Sequence, residues 1–299
     1  MARYISDADL DSVSHLTSRK AAQKLGCGKS TINDARVKRR TLEASLPAGD
    51  LPVVNKPKIL ALDLETSPNL AHVWGLFNQN IGIVQLMEWT EVICFGARWL
   101  GTDEVIFKSV YHDSKEEMLQ TIWDLMNEAD AIMGWNSKGF DVKHLYREFI
   151  ENGMLPPSPH IDLDLMLASK RKFRFPSNKL DYFAQKMGVG AKVKHEGHEL
   201  WVKCMRNEPE AWADMKKYQI QDVDILFGVY DKLLPWIEGH PHMALFSGEA
   251  LACPNCGSTN VRRYGSTTTT AGKFPRYVCE CGKWSRDAKR EGTTSLRSY

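Results

Sequence analysis

The chain of 299 residues has no stretch approaching the roughly 20 apolar residues that span a bilayer. Its opening residues, Met1 to Asp7, have no apolar core of the signal-peptide kind. Internal repeats and low-complexity tracts are absent too, which excludes solenoids and biased tails. Cysteine is sparse: of seven, Cys27, Cys94 and Cys204 are scattered, so a disulfide framework is not expected. These absences lead to the expectation of a soluble globular protein in the cytoplasm. A hydrophobic fraction of 43% is ordinary for a chain that buries a core.

Net charge is small at +2, but its distribution is uneven. Residues 1–45 carry 9 basic and 5 acidic side chains, and residues 253–299 carry 9 and 3. The segment between holds 21 basic and 29 acidic ones. Two basic ends suited to a polyanion thus flank an acidic middle suited to cations.

Residues 1–45 read as short helices, and the three prolines and one glycine of residues 46–57 read as a linker. Lys58 to Glu65 is a mostly apolar run ending in acids, as expected of a central strand whose end reaches a site. Strands are expected near 91–99, 103–110 and 131–135. A half-buried helix is expected over 114–129, with Ser114 and Glu117 as a capping box. Further helices begin near Phe140 and run from about Pro209 to Trp236. Strands alternating with helices imply an α/β domain over residues 58–238.

Four carboxylates stand out in this domain. Asp63 and Glu65 are two apart at a strand end, so they emerge on one face and suit one hard cation. Asp141 opens a helix just after a strand. Tyr218 and Asp222 are four apart in the last long helix and share a face. Asp224, two residues on, falls on another side of that helix.

Together these segments resemble the DEDD superfamily of 3′-to-5′ exonucleases, whose members include polymerase proofreading domains and ribonuclease D. The resemblance covers roughly residues 57–236. Its first motif, Asp-x-Glu, is matched by Asp63 and Glu65. Its second, Asn-x3-Phe/Tyr-Asp, is matched by Asn136, Phe140 and Asp141, and its third, Tyr-x3-Asp, by Tyr218 and Asp222. The tyrosine is that of the tyrosine subclass; the histidine subclass would place its histidine where Lys217 sits.

The resemblance implies a ribonuclease H-like fold with a mixed central sheet and flanking helices. It also implies two Mg2+ or Mn2+ ions, with Asp63 bridging both and Glu65 and Asp222 on the nucleophile side. Asp141 would serve the leaving-group side, directly or through water, and Tyr218 would orient the attacking water. Asn136, Lys192 and Lys194 are candidate contacts to the nucleic acid, although for the two lysines and His195 a flexible solvated loop is the favoured reading.

The ends carry their own signals. Residues 21–32 resemble a helix-turn-helix, with Asn33, Arg36 and Arg39 on a second helix expected from about Thr31 to Arg40. The module either binds DNA or packs as a helical cap. Cys253, Cys256, Cys279 and Cys281 form two short cysteine hairpins around a β-rich segment. That spacing implies a zinc ribbon over 250–299 holding one structural Zn2+. Arg262, Arg263 and Trp284 give the ribbon basic and aromatic groups for nucleic acid, or for docking a protein.

The reading is a DNA exonuclease, similar to stand-alone or proofreading subunits of phage and bacterial replication or repair systems. A polymerase or other replisome protein is the expected partner, with no membrane. RNA 3′-end trimming, or a catalytically silent DNA-binding adaptor on the same scaffold, are the alternatives.

Overall fold

The computed structural model describes residues 5–13, 16–44, 56–190 and 196–296. Most of the expected linker therefore lies outside the described residues. At the N-terminus are α1 (Asp7–Ser12), α2 (Ser18–Leu25) and α3 (Lys29–Ala44). Ser6 and Asp9 close a capping box on α1, and Thr17 caps α2. Gly26, at φ 64°, ends α2 in the left-handed conformation that glycine adopts at least cost. Leu10, Val13, Ala21, Ala22 and Ile32 form a small core of their own. The last helix begins two residues before the expected Thr31, so Ser30 and Thr31 lie within its first turn.

The main domain follows as β1 (Ile59–Thr66), β2 (Leu70–Ala71), β3 (Leu86–Glu88), β4 (Val92–Trp99), β5 (Ile106–Ser109), α4 (Lys115–Glu128), β6 (Ala131–Gly134), α5 (Asp141–Glu151), β7 (Ile161–Asp164), α6 (Leu165–Lys172), α7 (Leu180–Lys186), α8 (His198–Met205) and α9 (Pro209–Leu233). The strands order as β5-β4-β1-β6-β7. β1 lies antiparallel to β4 and parallel to β6, and β6 is parallel to β7. This is the expected mixed α/β sheet with flanking helices. The tail adds α10 (Ala244–Ser247), β8 (Val261–Thr269), β9 (Gly272–Cys279) and β10 (Trp284–Arg286), the last three forming an antiparallel sheet.

Side-chain alternation along β1 divides the core in two. Leu60, Leu62 and Leu64 pack with Met118, Ile122, Leu145 and Phe149 of α4 and α5. Ile59 and Ala61 face the other way and pack with Val223, Leu226 and Val229 of α9. A strand has a period of two, so Asp63 and Glu65 continue the α9 face beyond the apolar layer. α9 starts with proline in its first turn, where the missing N–H costs nothing. Its buried positions recur at three- and four-residue steps, from Ala211 through Met215, Asp222 and Leu226 to Leu233.

The expected capping box on α4 forms only by half. Ser114 Oγ accepts from the Glu117 N–H at 3.1 Å. The Glu117 carboxylate instead lies 3.3 Å from Lys108 Nζ, because a full cation is the stronger partner.

Glu148 is the buried polar link between α5 and the sheet. Its carboxylate accepts from the Val92 N–H at 3.0 Å and Arg147 Nη2 at 2.8 Å, with Lys115 Nζ 3.1 Å away. Burial alone would raise its pKa. The Val92 N–H, Arg147 and Lys115 outweigh that and hold it below the usual range. Glu148→Gln is expected to lower unfolding free energy by about 2 kcal/mol near neutral pH. A depressed folded pKa gives stability that is present above the unfolded value of roughly 4.3 and lost as pH falls through the folded one. Denaturant melts of the two proteins should therefore converge in acid.

Candidate active site

Glu65 and Asp63 stand at the end of β1 because the strand runs past the apolar core. Across from them, α9 presents Tyr218, Gln219, Asp222 and Val223, all buried. Carboxylate oxygens of Asp63, Glu65 and Asp222 lie within 4.8 Å of one another. Asp222 is 1% exposed and Asp63 and Glu65 are half-buried. Three like charges at that separation repel strongly in a partly desolvated site, and a hard divalent cation with oxygen ligands turns the repulsion into attraction. The donor set therefore fits Mg2+ or Mn2+.

Asp141 is not in that cluster. It lies 3% exposed at the first position of α5, and its Oδ1 accepts from the Leu64 N–H at 3.1 Å, between the two acids of β1. Burial and then the Asp63 charge push its carboxyl well up. Its own N–H and that of Leu64 pull the other way, while Asp164 adds to the rise. Asp141 is thus coupled to the cluster through Asp63.

Tyr218 is buried beside Asp222, to which its hydroxyl donates, and the Trp201 ring meets its edge at 6.0 Å. Burial, then Asp222, Glu65 and Asp63, raise the phenol far beyond its ordinary range. The phenol is thus held between the Trp201 edge and the carboxylate cluster. The thiol of Cys94, paired with Glu65 across the sheet, is pushed well up by burial and then by Glu65 and Asp63. It is fully buried, a packing group beneath the site. Asp224 turns away from the cluster and pairs with Arg98.

Two residues essential to this geometry escaped the sequence reading. Gln219 Nε2 donates to Asp63 Oδ2 at 2.8 Å, and its Oε1 is buried with no hydrogen-bond partner among the described residues. Gly96 pairs with Asp63 in the β1–β4 ladder. A Cβ there would sit 2.9 Å from Val223 Cγ2 and 3.3 Å from the Gln219 carbonyl. Glycine is what lets α9 approach the sheet. The available signals were a glycine inside a strand and a glutamine three residues before Asp222 on one helix face. Gly96→Val is expected to displace α9, lowering the unfolding free energy by about 1–3 kcal/mol through overpacking and weakening Mn2+ affinity. A calorimetric Mn2+ titration checks the second effect.

Asn136 holds φ at 66°, and its carbonyl accepts the N–H groups of Gly139 and Phe140. Asp164 fixes this turn by accepting from the Asn136 and Lys138 N–H groups, each at 3.2 Å. Asn136 is thus the turn residue that delivers Asp141. Its tolerance of the left-handed region suits it to that place.

At the N-terminus Arg36 is engaged inward. Its guanidinium donates to Ser18 Oγ at 3.2 Å and to the Val13 and Leu16 carbonyls at 3.1 and 2.8 Å. It closes the helical module, its guanidinium engaged within that module. Asn33 is half-buried on the same helix. Lys192, Lys194 and His195, and the side chain of Arg39, lie outside the described residues.

The four expected cysteines converge, with all Sγ atoms within 4.8 Å. Cys253 and Cys281 are 3.8 Å apart and Cys256 and Cys279 3.6 Å, too far for disulfides. A tetrahedron with Zn–S bonds of about 2.3 Å has edges of about 3.8 Å, so the cluster fits zinc. Asn255 Nδ2 donates to the Leu234 and Ile237 carbonyls, and Lys283 Nζ to Ile237, so the ribbon docks on the end of α9. On its sheet Arg276 lies 4.8 Å from the Trp284 ring, and Tyr264 meets that ring edge-on. Arg262 is exposed, and Arg263 pairs with Glu291.

Residues 86–234, just under half of the chain, match the family RNase_H_2 of the RNase_H superfamily. The match includes Asp141, Tyr218 and Asp222 and begins after Asp63 and Glu65. It agrees with the sheet order described above: the fold is ribonuclease H-like, and the match supports nuclease chemistry in general. Among solved structures, the family B DNA polymerase of the hyperthermophilic archaeon Pyrobaculum calidifontis is 21% identical at a TM-score of 0.45. That alignment covers 60% of this chain and 25% of the polymerase. The chain thus spans about a quarter of the polymerase's length, and at this score the likeness carries no argument about function. No curated protein matches the chain. No helix among the described residues is long and apolar enough to cross a membrane.

Proposed function

We propose that the chain is a metal-dependent 3′-to-5′ exonuclease that removes terminal nucleotides from DNA. The observation that carries the reading is the convergence of Asp63 and Glu65 from β1 with Asp222 from α9. Those three would hold one divalent cation. Asp63, with Asp141 behind it, would serve a second. Metal held there supplies water activation at neutral pH and neutralises charge developing on the phosphodiester.

The protein's own groups do the rest. Gln219 fixes the carboxylate of Asp63 by its 2.8 Å hydrogen bond. Tyr218, buried beside Asp222, orients the attacking water by hydrogen bonding. Gly96 sets the spacing between β1 and α9. The helical module of residues 1–45 and the ribbon of 250–299 hold substrate, the ribbon through the exposed Arg262 and Trp284 and the half-buried Arg276 between them, while residues 58–238 perform the chemistry. Zinc in the ribbon is structural, since four thiolates leave no open position for a substrate.

Equimolar competition between 5′-labelled DNA and RNA of one sequence tests the substrate. Preferential shortening of DNA agrees with the reading, and shortening of RNA alone moves the protein to RNA 3′-end trimming. Tight DNA binding without cleavage of either would mark a silent scaffold. The expected partners are a polymerase or other replisome protein, and the setting is phage or bacterial replication or repair in the cytoplasm.

A further inference from the structure

A hairpin arm leaves the main sheet immediately after β1 and returns at β4. Its root is stapled at the end of β1 that carries Glu65. The Ser67 N–H donates to the Glu91 carbonyl at 2.8 Å, the Glu91 N–H to Ser67 Oγ at 2.9 Å, and Thr90 Oγ1 to the Ser67 carbonyl at 2.6 Å. Further out, β2 pairs with β3, and His72 and Gln85 exchange hydrogen bonds, each of 2.9 Å. The arm is therefore an ordered structure with its own hydrogen bonds.

What it displays is unusual for a protein surface. Trp74 is 99% exposed, Val84 97%, Leu76 87% and Phe77 86%, with Trp89 at 60%. Large apolar groups held in water at about 25 cal/mol per Å2 mark a surface that a partner covers. Residues 67–90 contain no lysine or arginine, and Glu88 is the single acid. Such a surface cannot neutralise phosphates, nor attract an anionic membrane. It suits the part of a nucleic-acid strand that is flat, apolar and uncharged, the face of the base. Asn78, Gln79 and Asn80 beside Phe77 supply amides suited to base edges.

We propose that this arm, residues 70–89, is a stacking platform for unpaired bases of the strand whose end lies at the carboxylates. The inference rests on the exonuclease reading and deepens it, since it selects a single-stranded end as the substrate. Division of labour follows: the acidic site and the basic ends handle the backbone, and the arm handles bases. Stacking is tolerant of sequence, so the platform suits an enzyme that removes any nucleotide it meets.

The test uses the full chain and a Trp74→Ala/Phe77→Ala variant, whose changes lie on exposed side chains outside the core. Two Mn2+-dependent reactions are compared: hydrolysis of the p-nitrophenyl ester of thymidine 5′-monophosphate, which has no neighbouring base to stack, and shortening of single-stranded oligothymidylate. The variant should keep the ester rate and raise KM for the oligonucleotide about tenfold to a hundredfold. Equal KM values for the oligonucleotide would overturn the platform while leaving the exonuclease reading intact. If the parent hydrolyses neither compound, the exonuclease reading fails. Fluorescence of the parent, compared with Trp74→Phe, then decides the platform by quenching on oligothymidylate addition. Loss of self-association in the variant with oligonucleotide affinity unchanged would assign the arm to a second copy of the chain and also overturn the inference.

Discussion

Asp222→Asn should reduce metal-dependent turnover by on the order of a hundred- to a thousandfold or more while leaving the fold intact. Asp222 is buried within a few ångström of two other carboxylates, so in metal-free protein its charge is a burden on the native state. Asparagine keeps the volume and removes that charge. Without divalent cation the variant should melt at the same temperature as the parent or higher. Adding Mn2+ should raise the parent's melting point by mass action and scarcely move the variant's. The combination of lost activity, undiminished stability and lost metal response separates a ligand from a structural acid. A variant that kept its turnover would remove Asp222 from the site.

The second large effect concerns the ribbon. Cys256→Ser should abolish binding of one zinc ion per chain, which metal analysis of the purified protein reads directly. The ribbon's core is small, with Cys253, Phe274 and Cys279 among its few buried residues, so metal supplies most of its stability. Loss of a structural zinc site of this kind withdraws about 10 kcal/mol of folding free energy. Residues 250–296 should then become open to limited proteolysis while the sheet domain resists. The ester reaction should survive, because the carboxylates are held by β1 and α9. Affinity for a DNA strand should fall and depend less steeply on salt, since the cations at Arg262 and Arg276 are no longer displayed together.

Much of this was legible because the relevant order is local. Two acids at a spacing of two on a strand must share a face, and Tyr218 and Asp222 at a spacing of four must do so on a helix. Paired cysteines at short spacing announced their cluster in the same way. The parts that were not legible depend on register and packing between distant segments. That Gly96 lies opposite Asp63 follows from the β1–β4 pairing, and that Gln219 reaches Asp63 follows from how closely α9 sits. Arg36 looked like a DNA contact because arginine on an outer helix usually is exposed. Instead, three acceptors left open by the turns of the N-terminal module draw it inward. Asn136 was legible as part of a motif, but not its left-handed backbone. The arm of residues 70–89 gave no sequence signal, since apolar residues ordinarily forecast burial, and here they are held outward.

Incubating the purified chain with 5′-labelled single-stranded DNA and Mg2+ or Mn2+, beside EDTA and Asp222→Asn controls, decides whether the carboxylate cluster removes nucleotides from a 3′ end. The expected result is a ladder that shortens progressively from the 3′ end, abolished by either control. A labelled strand left at full length with metal present, or shortened equally by Asp222→Asn, would contradict it.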